Sequence, residues 1–173
     1  MAMQLTHYGQ DILRKKTKPV GKIDDSILQL IEDMFETMYH EDGIGLSANQ
    51  VGIDLAIATI DISHMDEDVE PFVIINPEIV EKEGTEVMDE GCLSIPGVRE
   101  EVKRAERVTV EYLDREGNKV HRDAEGLLAR VIQHETDHLN GKFYVDRISP
   151  LKRRFIQNKL NSIARHGFQA EED

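Results

Sequence analysis

The 173-residue sequence has one cysteine, no long apolar run and a deficit of positive charge. Each shortage removes a class of protein. A single thiol, Cys92, cannot form an internal disulfide, so any chemistry it has is that of a metal ligand or a nucleophile. The longest apolar runs, "LAIATI" from Leu55 and "FVIIN" from Phe72, fall far short of the roughly 20 residues a membrane-spanning helix needs. The opening "MAMQLTHYGQ" lacks a basic flank followed by an apolar stretch, which argues against a signal peptide and makes the cytoplasm the expected location. With 34 Asp and Glu against 21 Lys and Arg, the formal charge is -13. A duplex would be repelled over most of such a surface, so DNA is not an expected partner. No internal repeat, low-complexity segment or long linker divides the chain, and one domain over 1–173 is expected.

What is present is patterned. Ile27, Leu28, Ile31, Met34, Phe35 and Met38 fall at helical spacing, with Asp24 or Asp25 as N-cap and Gly43 just past the end. Strand-like runs follow around "DLAIATIDI" and "PFVIINPEIV", then a hairpin turning at Glu116 to Asn118. A helix is expected from about Gly126 to Asn140, stopped by Gly141, and another from Ser149 with Pro150 in its first turn. This order predicts an α+β fold, with antiparallel or mixed sheets around a central helix and a further helix at the C-terminal end.

That central helix carries "VIQHETDHLNG", residues 131–141. Leu127, Val131, His134 and His138 share one face, so the two imidazoles stand one above the other on the stripe expected to face the core. They can reach a single cation. Glu135, rotated by about 100°, is better placed to touch a water on that cation than the cation itself. Two satisfied histidines near a helix end are the ordinary alternative. Against it, a carboxylate on a buried stripe is costly without a partner or a task.

Two ligands leave the class open. The long zinc-protease pattern fails, because Tyr144 stands where its third histidine belongs. A glutamate ligand on a following helix fails too, since no Asp or Glu lies between Arg147 and Ala170. The strong ligand type that remains is Cys92 in "EGCLSIPG", read as irregular or edge-strand backbone, with a buried apolar cysteine as the alternative.

"GIGLSANQVG" (43–52), "EGCLSIPG" (90–97) and "QHETDH" (133–138) resemble, in order and spacing, the three motifs of the peptide deformylases, over nearly the whole chain. The resemblance implies one divalent metal per chain, Fe2+ in the cell with Zn2+, Ni2+ or Co2+ able to substitute, held by Cys92, His134 and His138. It implies removal of the formyl group from the N-terminal methionine of nascent peptides, with Glu135 as acid and base. Gln50 and the backbone N–H of Leu93 would stabilise the oxyanion. Ile44, Gly45 and Gly91 would pair with the peptide as an added strand. The methionine side chain would enter a pocket of Ile44, Glu90, Leu127, Arg130, Val131 and His134, and Asp137 would pair with Arg104. Two departures stand out: "LSAN" in the first motif, and Arg130 where an apolar residue is expected, which would set a guanidinium at the pocket rim. A zinc peptidase with an unfamiliar ligand set and a non-catalytic metal-binding domain are the competing readings.

The remaining feature is charge asymmetry. Arg147, Lys152, Arg153, Arg154, Lys159 and Arg165 crowd an acid-free stretch. Three of them fall at the start of the last helix, where the helix dipole disfavours cations. A solvated helix face competes with a weak contact to ribosomal RNA by an otherwise acidic monomer.

Overall fold

Asp24 starts the first helix: its carboxylate accepts from the backbone N–H of Ile27 at 3.1 Å and caps α1 (Asp25–His40). The structure, a computed structural model, describes residues 1–166. Residues 167–173, included in the 1–173 domain expected from sequence, lie outside the described residues. After α1 come β1 (Gly45–Ser47), β2 (Ile57–Ile60) and β3 (Phe72–Glu83), then the hairpin β4 (Glu86–Cys92) and β5 (Ile95–Arg104). The hairpin β6 (Arg107–Leu113) and β7 (Lys119–Glu125) follows, and then α2 (Gly126–Leu139) and α3 (Pro150–His166). A five-stranded sheet has the order β1-β2-β3-β6-β7, and β4 and β5 form a separate two-stranded sheet. All these neighbours are antiparallel. The expected α+β architecture is therefore present in its antiparallel form, and the parallel pairing observed is an isolated bridge between Lys18 and Leu55.

The apolar runs are continuous because the middle of the sheet is covered on both faces. Ala58, Ile60 and Ile74 pack with Leu128, Ala129 and Ile132 of α2. Alternate residues Ile57, Val73 and Ile75 pack instead with Ile31, Met34 and Met38 of α1. A period of two on strands buried on both sides leaves no polar face to read. Helix α2 thus lies across the sheet with its other flank toward the β4–β5 hairpin. It ends where Gly141 adopts φ +76°, a position at which an added Cβ would lie 2.6 Å from the Arg14 carbonyl oxygen.

Ser149 caps α3, its hydroxyl accepting from Lys152 N at 3.2 Å. Ile156, Leu160 and Ile163 pack against Ile95, Val98 and Val102 of the hairpin. Several cations of the acid-free stretch work inside the protein. Arg147 binds Asp137, Arg153 reaches Asp146, the Val145 carbonyl and the Tyr8 hydroxyl, and Lys152 approaches Glu100 and Glu101. Arg154, Lys159 and Arg165 remain exposed.

Buried charges join the hairpin to α2. Arg104 of β5 holds Glu90 of β4 through two hydrogen bonds (2.7 and 3.0 Å) and Asp137 of α2 through a third (2.8 Å). This bears out the pairing of Asp137 with Arg104. Arg130 of α2 adds bonds to Glu90, the Val102 carbonyl and the Glu86 carbonyl, and Arg147 grips Asp137 from outside. Burial alone would raise the Glu90 carboxyl, but hydrogen bonds from His134 and Arg104 reverse this and hold it at about 2. A depressed carboxyl stabilises the fold fully above its ordinary value near 4.5, and that contribution is lost as the pH falls through about 2. Arg104→Ala is expected to cost about 3 to 5 kcal/mol at neutral pH by stranding buried carboxylates. That corresponds to a melting temperature lower by roughly 6 to 20 °C. Its acid-unfolding midpoint should also move to higher pH, and a thermal and acid titration matching the parent would show that the joint does not hold the fold.

Candidate metal centre and active site

Three elements converge beside α2. His134 and His138 stand one turn apart, with their Nε2 atoms 3.1 Å from each other, and Cys92 at the end of β4 places Sγ 3.2 Å from His138 Nε2. All three ligand atoms lie within 4.8 Å of one another. Metal–sulfur and metal–nitrogen bonds of roughly 2.3 and 2.1 Å in a tetrahedron require edges of about 3.3 to 3.7 Å, close to the two short separations here, so small side-chain shifts close this donor set on one divalent ion. Glu90 accepts from His134 Nδ1 at 2.8 Å, which fixes the tautomer and turns Nε2 to the thiol. Burial disfavours an imidazolium at His134, yet Cys92 and Glu90 outweigh it and hold the ring's positive form to about 10. His138 is moved well below the ordinary imidazole value by burial and then by repulsion from His134. Its Nδ1 has no hydrogen-bond partner among the described residues, and the ring is steadied by Phe143, edge-on at 5.4 Å.

Tyr144, at the position where a third histidine was sought, is a prop. Its ring stacks on His134 at 6.1 Å, and its hydroxyl donates to the Val98 carbonyl at 2.7 Å.

Glu135 is 2% exposed, and its Oε2 has no hydrogen-bond partner among the described residues. Burial pushes its carboxyl up to about 7. Gly45 is what lets it lie there, since a Cβ at that position would come within 3.0 Å of the Glu135 side chain. Gln50 is aimed by "SANQ": its Oε1 accepts from the Ser47 N–H and hydroxyl, leaving Nε2 to reach Ser94 Oγ at 3.1 Å and Cys92 Sγ at 3.4 Å. Ser47 and Gln50 form a capping box around the short turn Ala48–Val51. That spacing is readable in the sequence. Asn49 of the same turn donates to the His138 carbonyl at 2.6 Å, tying this element to the end of α2.

A cavity of about 570 Å³ opens on these groups. Its walls bring together Ile44, Gly45, Gln50, Glu90, Gly91, Cys92, Leu93, Leu127, Arg130, Val131, His134 and Glu135, leaving His138 buried behind. The expected guanidinium at the rim is not found. Arg130 is 4% exposed, and its Nη atoms are occupied by Glu90 and two carbonyls of the hairpin. The hairpin offers three acceptors within reach of a long side chain, so the charge turns into the joint although the residue still lines the cavity. Sequence reasoning also missed Arg147 on Asp137 and Arg99, which pairs with Asp89 at the cavity mouth at 2.6 Å. Both are cations in charged stretches, and only the fold supplies their partners.

The model of the polypeptide deformylase family matches residues 2–154. The peptide deformylase of Hamiltonella defensa is 47% identical over 161 residues, covering 93% of each chain. That of Alkalilimnicola ehrlichii is 48% identical over 160 residues, covering 92% of this chain and 89% of its own. Among solved structures, a peptide deformylase from Legionella pneumophila superposes with a TM-score of 0.87 at 46% identity, covering 95% of this chain and 96% of that one. A donor set of Cys92, His134 and His138 beside a buried glutamate, carried on a fold and sequence shared at this level, places the chain in the peptide deformylase family.

Proposed function

We propose that the chain hydrolyses the formamide bond of N-formylmethionyl nascent peptides, releasing formate and a free amino terminus. The observation that carries this reading is the convergence of one thiol and two imidazoles in the wall of a cavity, beside a buried carboxyl held near neutrality. Cys92 as thiolate with His134 and His138 as neutral imidazoles would hold a divalent ion with one net positive charge, which would supply Lewis acidity and make water more acidic at the site. Soft and borderline donors of this kind suit Fe2+, the ion proposed for the cell, and also Zn2+, Ni2+ or Co2+.

Glu135 takes a proton from the attacking water as its oxygen bonds to the formyl carbon, and then delivers a proton to the nitrogen as the C–N bond breaks. A carboxyl near 7 is poised for both transfers. The amide Nε2 of Gln50, locked by Ser47, and the backbone N–H of Leu93 are proposed to donate to the oxygen that becomes negative. The peptide backbone is proposed to lie as an added strand beside Ile44, Gly45 and Gly91. Its first side chain would enter the space among Leu127, Val131, Glu90 and Arg130.

We further propose that the enzyme acts as a monomer in the cytoplasm and that the outer face of α3 touches the ribosome weakly. Two of the three cations at the helix start have partners within the chain, so the proposal now rests on exposed Arg154, Lys159 and Arg165.

Incubation with a formyl-Met peptide should yield formate without internal cleavage; internal cleavage instead would favour a peptidase. In Glu135→Ala the metal should stay while turnover falls by at least about 10² to 10⁴, and near-parent turnover would remove Glu135 from the chemistry. Cys92→Ser should lose metal, since a hydroxyl replaces a thiolate poorly; full occupancy by anaerobic metal analysis would refute the ligand assignment. Changing Arg154, Lys159 and Arg165 together to Gln should weaken ribosome co-sedimentation while formyl-peptide turnover holds. Unchanged co-sedimentation would exclude α3 from that contact.

A further inference from the structure

On the side of α2 turned away from the metal ligands, Thr136, Asp137 and Asn140 line a cleft of about 650 Å³ that shares no lining residue with the catalytic cavity. The cleft runs between the segment around Lys16, the irregular middle of β3 and the C-terminal end of α2. A smaller cavity of about 180 Å³ continues it past Lys82 and Arg147 to Lys103. Lys16, Lys82, Lys103 and Lys142 are all exposed, and none has an ion-pair partner among the described residues. The carboxylates lining the two spaces are Glu78 and Asp137, and Asp137 already holds Arg104 and Arg147. The chain carries 34 acids against 21 bases, so four unpaired lysines in one place are a local reversal of sign.

Attraction to the C-terminal end of α2 accounts for Lys142 and Lys16, which lie near its last turn. It does not account for Lys82 and Lys103, which extend from β3 and β5. The ligand class follows from what the cleft is built of. A single phosphate is usually gripped by a helix N-terminus or a nest of backbone N–H groups, whereas here a helix C-terminus faces the space. Long, separate ammonium groups spread along a groove suit a string of phosphates instead.

We propose that this cleft is a contact surface for the phosphate backbone of single-stranded or looped RNA. The choice of RNA rests on the reading that the substrate is a nascent chain, which emerges from an RNA-rich particle. The acidic remainder of the surface then keeps the protein off nucleic acid elsewhere.

The test is fluorescence anisotropy of a labelled single-stranded RNA of about 20 nucleotides with the metal-loaded protein, between about 50 and 200 mM salt. Four lysine–phosphate contacts predict that log K falls with log salt with a slope of about -3. Changing Lys16, Lys82, Lys103 and Lys142 together to Gln should weaken binding at least about tenfold at low salt and flatten that slope. Lys82→Gln and Lys103→Gln singly should each do so in part, which keeps the test open if the fourfold variant folds poorly. Formyl-peptide turnover of the lysine variants should match the parent. The proposal fails if the parent does not bind RNA at low salt, or if binding survives the lysine changes. It fails too if inorganic phosphate displaces the RNA at ionic strengths where sodium chloride does not, since the cleft would then be a small-anion site. Loss of formate release by the parent would instead overturn the functional reading and leave the cleft's charge unexplained.

Discussion

Arg104, its side chain 2% exposed and its guanidinium bonded to carboxylates on two different elements, is the constraint on which the site depends. Cys92 belongs to a two-stranded sheet that has no ladder to the main one. Among the described residues no strand ladder sets the distance from its thiol to the histidines of α2, and side-chain contacts must do much of it. Glu90, two residues before Cys92, and Asp137, one before His138, do so through Arg104, and Arg130 repeats the connection from the helix side. A buried ion network is a poor source of net stability compared with apolar packing, but it specifies one geometry sharply because breaking any member strands a charge. For a metal site whose ligands come from two separate elements, fixing the geometry matters more than added stability.

The same network reaches the chemistry. Glu90 accepts from Arg104 and Arg130 and from His134 Nδ1, so the carboxylate that docks the hairpin also orients a ligand. The turn Ala48–Val51 is tied in separately, with Asn49 on the last turn of α2 and Gln50 aimed at the thiol. Helix, hairpin and turn each contribute one kind of group: imidazoles and a buried carboxyl proposed as the acid/base, a thiol, and an amide proposed as the oxyanion donor. His134 is held by Glu90 and Gln50 by Ser47.

How much of this could be read in advance depended on whether burial was apolar. The α1 stripe, the α2 stripe with His134, Glu135 and His138, and the β6–β7 hairpin were legible because their patterns follow 3.6 or 2 residues. Short β1 was too brief to show a period. The β4–β5 hairpin was not recognised, although its Cys92 was, because part of what it buries is Glu90 and Arg104. Charged residues in a stretch such as "EGTEVMDEG" read as surface unless their partners are known. Arg130 failed for the same reason: among apolar neighbours on a stripe it looks like an intrusion into a pocket, while its acceptors lie 28 to 44 residues away in the chain. Gln50 gained its meaning from resemblance, yet the Ser47 to Gln50 spacing already held the capping box that aims it.

The most direct measurement is the cobalt affinity and visible spectrum of Glu90→Gln, compared with the parent, alongside a melt to show that the variant is folded. Glutamine keeps the size of the side chain but removes the charge that docks the hairpin and orients His134. If buried charge sets the distance between Cys92 and the histidines, cobalt should bind roughly 10- to 100-fold more weakly and the sulfur-to-cobalt charge-transfer band should fade in a folded protein. A folded variant with parental affinity and an unchanged band would show that apolar packing alone brings the thiol to the helix.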